Sequence, residues 1–336
     1  MCCLFGILDY KQKLNHYQMN HLMRKLSIAC EKRGTDATGI AYNRNGRMEI
    51  HKKLIPAHCF KEKIPYGVNV VMGHTRLTTQ GNEKINRNNH PFLGQCGKDT
   101  FSLAHNGVLY NEMKLRREHK LPMTAIETDS YVAVQLIEKT GTFDLKAIQT
   151  MAERVEGSFC FTLLDRADNL YLVKGNNPLV IYHFEKHGFY LYASTEDILK
   201  KGIQTAGMSF YPYEKIEIDQ GDILILKANG QIIRERFDTK KLDCYDSFWF
   251  GNSWGRPYRN YLDTTAFKQV NQKRSSYTYG TYLESLADYA VNVGISEDEI
   301  LFLYESGFDG EEIEALLYTP EVLRDYIDEI IAFDYA

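Results

Sequence analysis

Cys2 stands directly behind the initiator methionine, in the opening stretch MCCLFGILDY. An N-terminus is usually frayed and chemically idle, and a thiol there is open to oxidation, so its presence needs a reason. Removal of Met1 would leave one residue carrying both a thiol and a free α-amine. Their reference pKa values are about 8.5 and about 7.7–8.0, so nucleophile and proton acceptor would share a residue, as in N-terminal threonine catalysis. The alternative is that Cys2 and Cys3 are ordinary members of a first strand, CLFGIL. Four further segments bear on the choice: RGTDATGIA from Arg33, GHTRLTTQG from Gly73, HNGVLYN from His105 and ETDSYV from Glu127. Singly each is weak, because Asn-Gly is a common turn and GHTR could close any strand. In this order, behind an N-terminal cysteine, they form a specific constellation.

The elements that must position these residues read as one mixed α/β unit over residues 1–236. Strand-like runs are CLFGIL, VNVVMGH, FSLAHN, SFCFTLLD, NLYLVKG, GFYLYAST and GDILILKA, bounded by Gly, Asn or Asp. Helical periodicity falls at about residues 17–31 (Met19, Leu22, Met23, Leu26, Ile28) and 128–139 (Tyr131, Val132, Val134, Leu136, Ile137). Strands do not alternate strictly with helices, which disfavours a doubly wound parallel sheet. An α+β layered fold, paired sheets covered by helices, fits better.

Beyond residue 236 the character changes. Residues 237–280 are rich in Tyr, Ser, Asn and Gly and read as a linker, partly packed because Trp249 and Trp254 favour burial. Residues 281–336 hold 15 acidic residues and one basic residue, Arg324, so a net charge of −4 overall hides a tail at −14 and a remainder at +10. The tail contains an echo of period 13, GISEDEI from Gly294 and GFDGEEI from Gly307. Ser296 and Asp309 are placed as N-caps, with Glu299 and Glu312 three residues on, the capping-box pattern of short helices. The tail reads as a helical docking module or, alternatively, as a solvated cap on the larger unit.

Composition excludes several classes. Apolar residues are 44% and charged residues 25%, ordinary globular values with material for a core. No apolar run reaches membrane-spanning length, and LNHYQMNHLMRKL is too interrupted by polar residues for a secretory leader. Seven scattered cysteines without a CxxC pair argue against a disulfide framework or zinc site and for a reducing cytoplasm. There is no P-loop or dinucleotide fingerprint, and no cofactor is expected. The basic cluster KLRREHK (Lys114–Lys120) reads as a solvated helix face, so nucleic acid is an unlikely partner.

The ordered motifs resemble the class II glutamine amidotransferase domain of the N-terminal nucleophile hydrolase superfamily, over residues 2–236 and most strongly over 2–131. The resemblance implies a four-layer αββα sandwich of two facing antiparallel sheets. It implies that Cys2 attacks the side-chain carbonyl of L-glutamine to form a γ-glutamyl thioester, its α-amine taking the thiol proton and returning it to the departing ammonia. The Asn106 side-chain amide and the Gly107 backbone N–H correspond to the oxyanion donors. Arg76 corresponds to the grip on the substrate α-carboxylate and Asp129 to the acceptor for its α-ammonium. Arg33 and Gly34 line the pocket around the nucleophile, and Asp36 and Thr79 hold loops. His90, His74 and His105 read as structural, since the α-amine already fills the role of base. Two positions depart from the family pattern: Cys3 stands where glycine is frequent, and Gln80 where histidine is frequent.

Family members join this domain to an ammonia-using synthase. Only about 100 residues follow Phe237, so the reading is a standalone glutaminase subunit that passes ammonia to a separate synthase or amide ligase. The alternatives are an amide hydrolase acting on a γ-glutamyl compound without a partner, and a catalytically idle glutamine-sensing or scaffolding module.

Overall fold

The computed structural model describes residues 2–78, 80, 82 and 84–242, and, in the C-terminal part, 286, 290, 291, 293–305, 310–317, 323, 324 and 327. The chain divides into two compact units, 1–242 and 243–336. In the first, two sheets form, each antiparallel throughout. The seven-stranded sheet runs β11 (Glu214–Ile216), β9 (Val180–Phe184), β10 (Phe189–Ala193), β1 (Cys3–Asp9), β4 (Val70–Arg76), β2 (Ala37–Arg44), β3 (Arg47–Lys53). The six-stranded sheet runs β13 (Ile232–Arg236), β12 (Asp222–Leu226), β8 (Leu170–Lys174), β7 (Gly157–Asp165), β6 (Asp99–Leu109), β5 (Phe92–Cys96).

The period-2 alternation of strands sorts the apolar residues into three cores. Leu4 and Leu8 of β1, Met72 of β4, Ala104 of β6 and Cys160 and Leu164 of β7 pack between the sheets. Cys3, Phe5 and Ile7 point the other way, against α1 (His16–Ala29) and α5 (Glu196–Thr205). Phe101 and Leu103 of β6 and Phe159 and Phe161 of β7 pack with α2 (Glu112–Glu118), α3 (Tyr131–Glu138) and α4 (Leu145–Arg154). The result is the expected α+β sandwich in four layers, helix, sheet, sheet, helix. Helix α1 is opened by a capping box at Asn15, with Gln18 returning a bond to the Asn15 backbone N–H. It ends at Ala29, and a 3₁₀ turn, Cys30–Lys32, carries the chain to Arg33.

The first unit extends past the last strand: Phe237 and Leu242 are buried in the core beneath α3 and α4. Trp249, Trp254 and the rest of the 243–280 segment lie outside the described residues. The second unit has a small apolar core of its own that includes Leu286, Ile300, Leu303, Ile313 and Leu317. Ile300 and Ile313 occupy the same position of the 13-residue echo, which explains its period. The expected cap of the first copy forms: Ser296 and Glu299 exchange backbone and side-chain bonds at the start of α6 (Glu297–Glu305). Asp309, the corresponding cap of α7 (Gly310–Leu317), lies outside the described residues. Among the described residues, no helix is long and apolar enough to cross a membrane.

Candidate active site

Strand parity brings the site together. Cys2 precedes β1 and shares the parity of Leu4, which faces the opposite sheet. Cys3 pairs with Thr75, so the next position along β4, beside Cys2, is Arg76. Arg76 shares the parity of Met72, and Asn106 on β6 shares that of Ala104 and lies opposite Cys160. Cys2, Arg76 and Asn106 are therefore all set toward the space between the sheets. The two sheets are tied there by a 3.0 Å hydrogen bond between His74 Nε2, two residues before Arg76, and the carbonyl of His105, next to Asn106.

The Cys2 thiol is half-buried and donates to the Leu77 carbonyl at 3.4 Å. Burial raises its pKa; the Leu77 bond and the positive charge of Arg76 oppose that rise, and Asp129 adds to it. Both charged residues thus lie within electrostatic reach of the sulfur. Arg33 Nε donates to the Cys2 carbonyl at 2.9 Å. The RGTD segment then lies hard against the end of β4. A Cβ on Gly34 would meet the Arg76 carbonyl carbon at 2.4 Å, so only glycine permits this approach. Asp36 closes the contact, its N–H donating to the Arg76 carbonyl at 3.0 Å and its carboxylate accepting from the Thr78 N–H at 2.7 Å.

Arg76 is buried with its guanidinium forked over two neutral acceptors, the Asn89 side-chain oxygen at 2.6 Å and the Gln80 carbonyl. Asp129 is buried at the entry to α3. It accepts from the Leu109 N–H at 2.6 Å and from the Ser130 hydroxyl at 3.3 Å. Burial raises its pKa, opposed by the Leu109 and Ser130 bonds and by Arg76. A fixed cation and a fixed carboxylate therefore flank the thiol, the arrangement that would receive the two charged ends of a free α-amino acid.

The Asn106 side chain is fully buried, and among the described residues no group hydrogen-bonds its amide nitrogen or oxygen. Buried amides are nearly always paired, so this one needs an explanation, and a ligand oxygen is one. The residue is held through its backbone: Asn177 Nδ2 donates to the Asn106 carbonyl at 2.8 Å. Gly107 has φ +141°, and a Cβ there would sit 2.0 Å from the Ser158 carbonyl oxygen. No other residue fits.

The histidines are packed rather than poised. His90 packs between His74 (4.3 Å between ring centres) and Phe92 (4.4 Å), its ring tilted to both. Burial pushes the pKa values of His74 and His105 down to about 3 and that of His90 well below the usual range, so all three are neutral. Cys3 faces away from Cys2 and lies 3.1 Å from the Cys30 sulfur.

Sequence reasoning named Cys2, Arg33, Gly34, Arg76, Asn106, Gly107 and Asp129, and the fold brings all seven to one end of the sandwich. Thr79 lies outside the described residues. Asn89, Asn177 and the Leu77 carbonyl were not singled out. Asn89 was visible only as the third Asn of NRNNHPF, and Asn177 only as part of a GNNP turn.

Fold and site together set a cysteine thiol beside a buried arginine at one end of a four-layer α+β sandwich. Residues 74–201 match the glutamine amidotransferase domain family. The chain is 27% identical over 262 residues to glutamine–fructose-6-phosphate aminotransferase (isomerizing) of Staphylococcus aureus, covering 74% of this chain and 41% of that protein. It is 28% identical over 258 residues to the enzyme of the same name from Streptococcus pyogenes, covering 73% and 40%. Among solved structures, glutamine phosphoribosylpyrophosphate amidotransferase from B. subtilis superposes with a TM-score of 0.55 at 21% identity, over 71% of this chain and 50% of that one. That last likeness is one of fold. What these matches share is a glutamine amidotransferase domain, and the chain spans about two-fifths of the length of the curated relatives it matches.

Proposed function

We propose that this protein hydrolyses the side-chain amide of L-glutamine through a thioester on Cys2 and delivers the ammonia to a separate acceptor synthase or amide ligase. The observation that carries the reading is the placement of Arg76 and Asp129, opposite charges, both within electrostatic reach of the Cys2 sulfur. Such a pair selects a substrate with a free α-carboxylate and a free α-ammonium. The thiol adds to the side-chain carbonyl carbon as its proton passes to the Cys2 α-amine. The oxyanion that develops is met by the Asn106 amide and the Gly107 N–H. Collapse expels ammonia with the proton returned by the amine, and water, deprotonated by the same amine, then releases glutamate and restores the thiol. Removal of Met1 is a condition of this chemistry.

The acidic tail, residues 281–336, is the proposed docking element for the acceptor, since ammonia released into water would be protonated and lost as a nucleophile. The test is incubation with a glutamine-mimicking diazoketone, followed by intact mass and peptide mapping. Loss of Met1 with one adduct on Cys2, prevented by excess glutamine, supports the reading. Processed protein that takes no adduct, or takes one elsewhere, overturns it.

A further inference from the structure

The segment after β4 crosses the edge of the seven-stranded sheet and is stapled to it from both sides. Asn86 Nδ2 donates to the Lys52 carbonyl on β3 at 2.9 Å. The Lys52 ammonium in return donates to the carbonyls of Asn89 and Pro91, the latter at 3.1 Å, and lies 5.0 Å from the centre of the Phe92 ring. Between these fixed points Asn89 is 1% exposed and aims its side-chain oxygen at Arg76 Nη1, 2.6 Å away. Lys52 thus fixes the backbone of Asn89, and the Asn89 side chain fixes the plane of the guanidinium.

We propose that Asn89, backed by Lys52, is a positioning residue that sets the orientation of the Arg76 fork and so the affinity for the substrate α-carboxylate. The inference rests on the reading that Arg76 grips that carboxylate. A bidentate grip depends on the plane of the fork. A neutral acceptor is suited to the task, because it orients the guanidinium and leaves its charge for the ligand. A carboxylate at position 89 would neutralise it.

Asn89→Leu keeps the volume and removes the acceptor. Its effect should fall on substrate binding: KM for glutamine rises about tenfold or more with kcat within about threefold, the pattern of a lost binding contact rather than a lost transition-state contact. The diazoketone, which carries an α-carboxylate, should label Cys2 about tenfold more slowly, while iodoacetamide, which carries none, labels it at the wild-type rate within about twofold. Lys52→Met should move KM in the same direction by less. In the double variant with Arg76→Lys the effect should be no larger than Arg76→Lys alone, because the two residues act as one unit.

Arg76→Lys also separates the two claims. If it leaves KM unchanged, the carboxylate clamp itself is wrong. If it raises KM and Asn89→Leu does not, the clamp stands and the role of Asn89 falls. The role also falls if Asn89→Leu, shown by its melting curve to be folded, slows iodoacetamide labelling as much as diazoketone labelling.

Discussion

Arg33 holds Cys2 by its backbone: its Nε donates to the Cys2 carbonyl at 2.9 Å, joining the 3₁₀ turn after α1 to the start of β1. In the proposed chemistry the attacking residue is the first one left after removal of Met1, where a side chain and an α-amine have few constraints of their own. Arg33→Met keeps the aliphatic stem and removes the donor. It is expected to lower kcat for glutamine by about 10–100-fold, the scale of a misplaced reacting group, with KM little changed. Steady-state kinetics on protein with Met1 removed decides it; a change confined to KM would place Arg33 in substrate binding instead.

Much of the fold and the site is legible in the amino-acid sequence. All seven strand-like runs form strands, because β1, β4, β6, β7, β8, β10 and β12 are dense in β-branched, aromatic and leucine residues. The other six strands lie outside the runs read by pattern, and β3, β11 and β13 among them are rich in charged residues. Strand β3, RMEIHKK, is a half-buried edge whose apolar face is only Met48 and Ile50 among charged residues, and β2, ATGIAYNR, held between β4 and β3, interrupts Thr38, Ile40 and Tyr42 with Gly, Ala and Asn. Helix α4 carries a readable signal in the Asp144 cap before Ala147, Ile148, Met151 and Ala152. The site follows the same rule. Residues in compact motifs stand out; Asn89 acts through a contact that only the crossing of the loop over β3 creates.

Asn106 and Gly107 are adjacent yet should fail differently. Asn106→Ala removes a buried amide with no hydrogen-bond partner among the described residues, so folding should survive while glutaminase kcat falls by about 10²–10³, the effect of deleting one oxyanion donor. Gly107→Ala places a Cβ against the Ser158 carbonyl in a backbone conformation that L residues rarely adopt. It is expected to cost more than about 1 kcal/mol of stability and to move the strand. Urea midpoints and kcat measured on the same preparations separate the two. A strongly destabilised Asn106→Ala would mean that the amide is structural.

Cys2 and Cys3 also separate, by strand parity. Cys3 packs against α1 with its sulfur beside Cys30, on the face away from the site. Cys3→Ala should therefore retain glutamine hydrolysis within about threefold and lose only the stability of a small buried group, about 1 kcal/mol. Cys2→Ala should abolish hydrolysis and the diazoketone adduct. Loss of the adduct in Cys3→Ala, with the fold intact by circular dichroism, would assign the nucleophile to the wrong cysteine.

The neutral histidines beneath the site give the fold a defined response to acid. Burial holds His74 and His105 at about 3 in the folded chain, against about 6.5 when unfolded. Below pH 6.5 the unfolded state binds protons that the folded state refuses, so stability falls as pH falls, by about 1.4 kcal/mol per pH unit for each histidine, until both states are protonated near pH 3. Asp129 works in the opposite sense: its raised carboxyl takes its proton first in the folded state and offsets part of the loss as the pH approaches the carboxylate range. The clean window is therefore pH 6.5 to 5. Urea midpoints should drop steadily across it, while the imidazole Cε1–H resonances of His74 and His105 keep their neutral positions. Resonances that shift through a midpoint near 6 would show that water reaches these rings, and that the seam joining the sheets at His74 and His105 opens in solution.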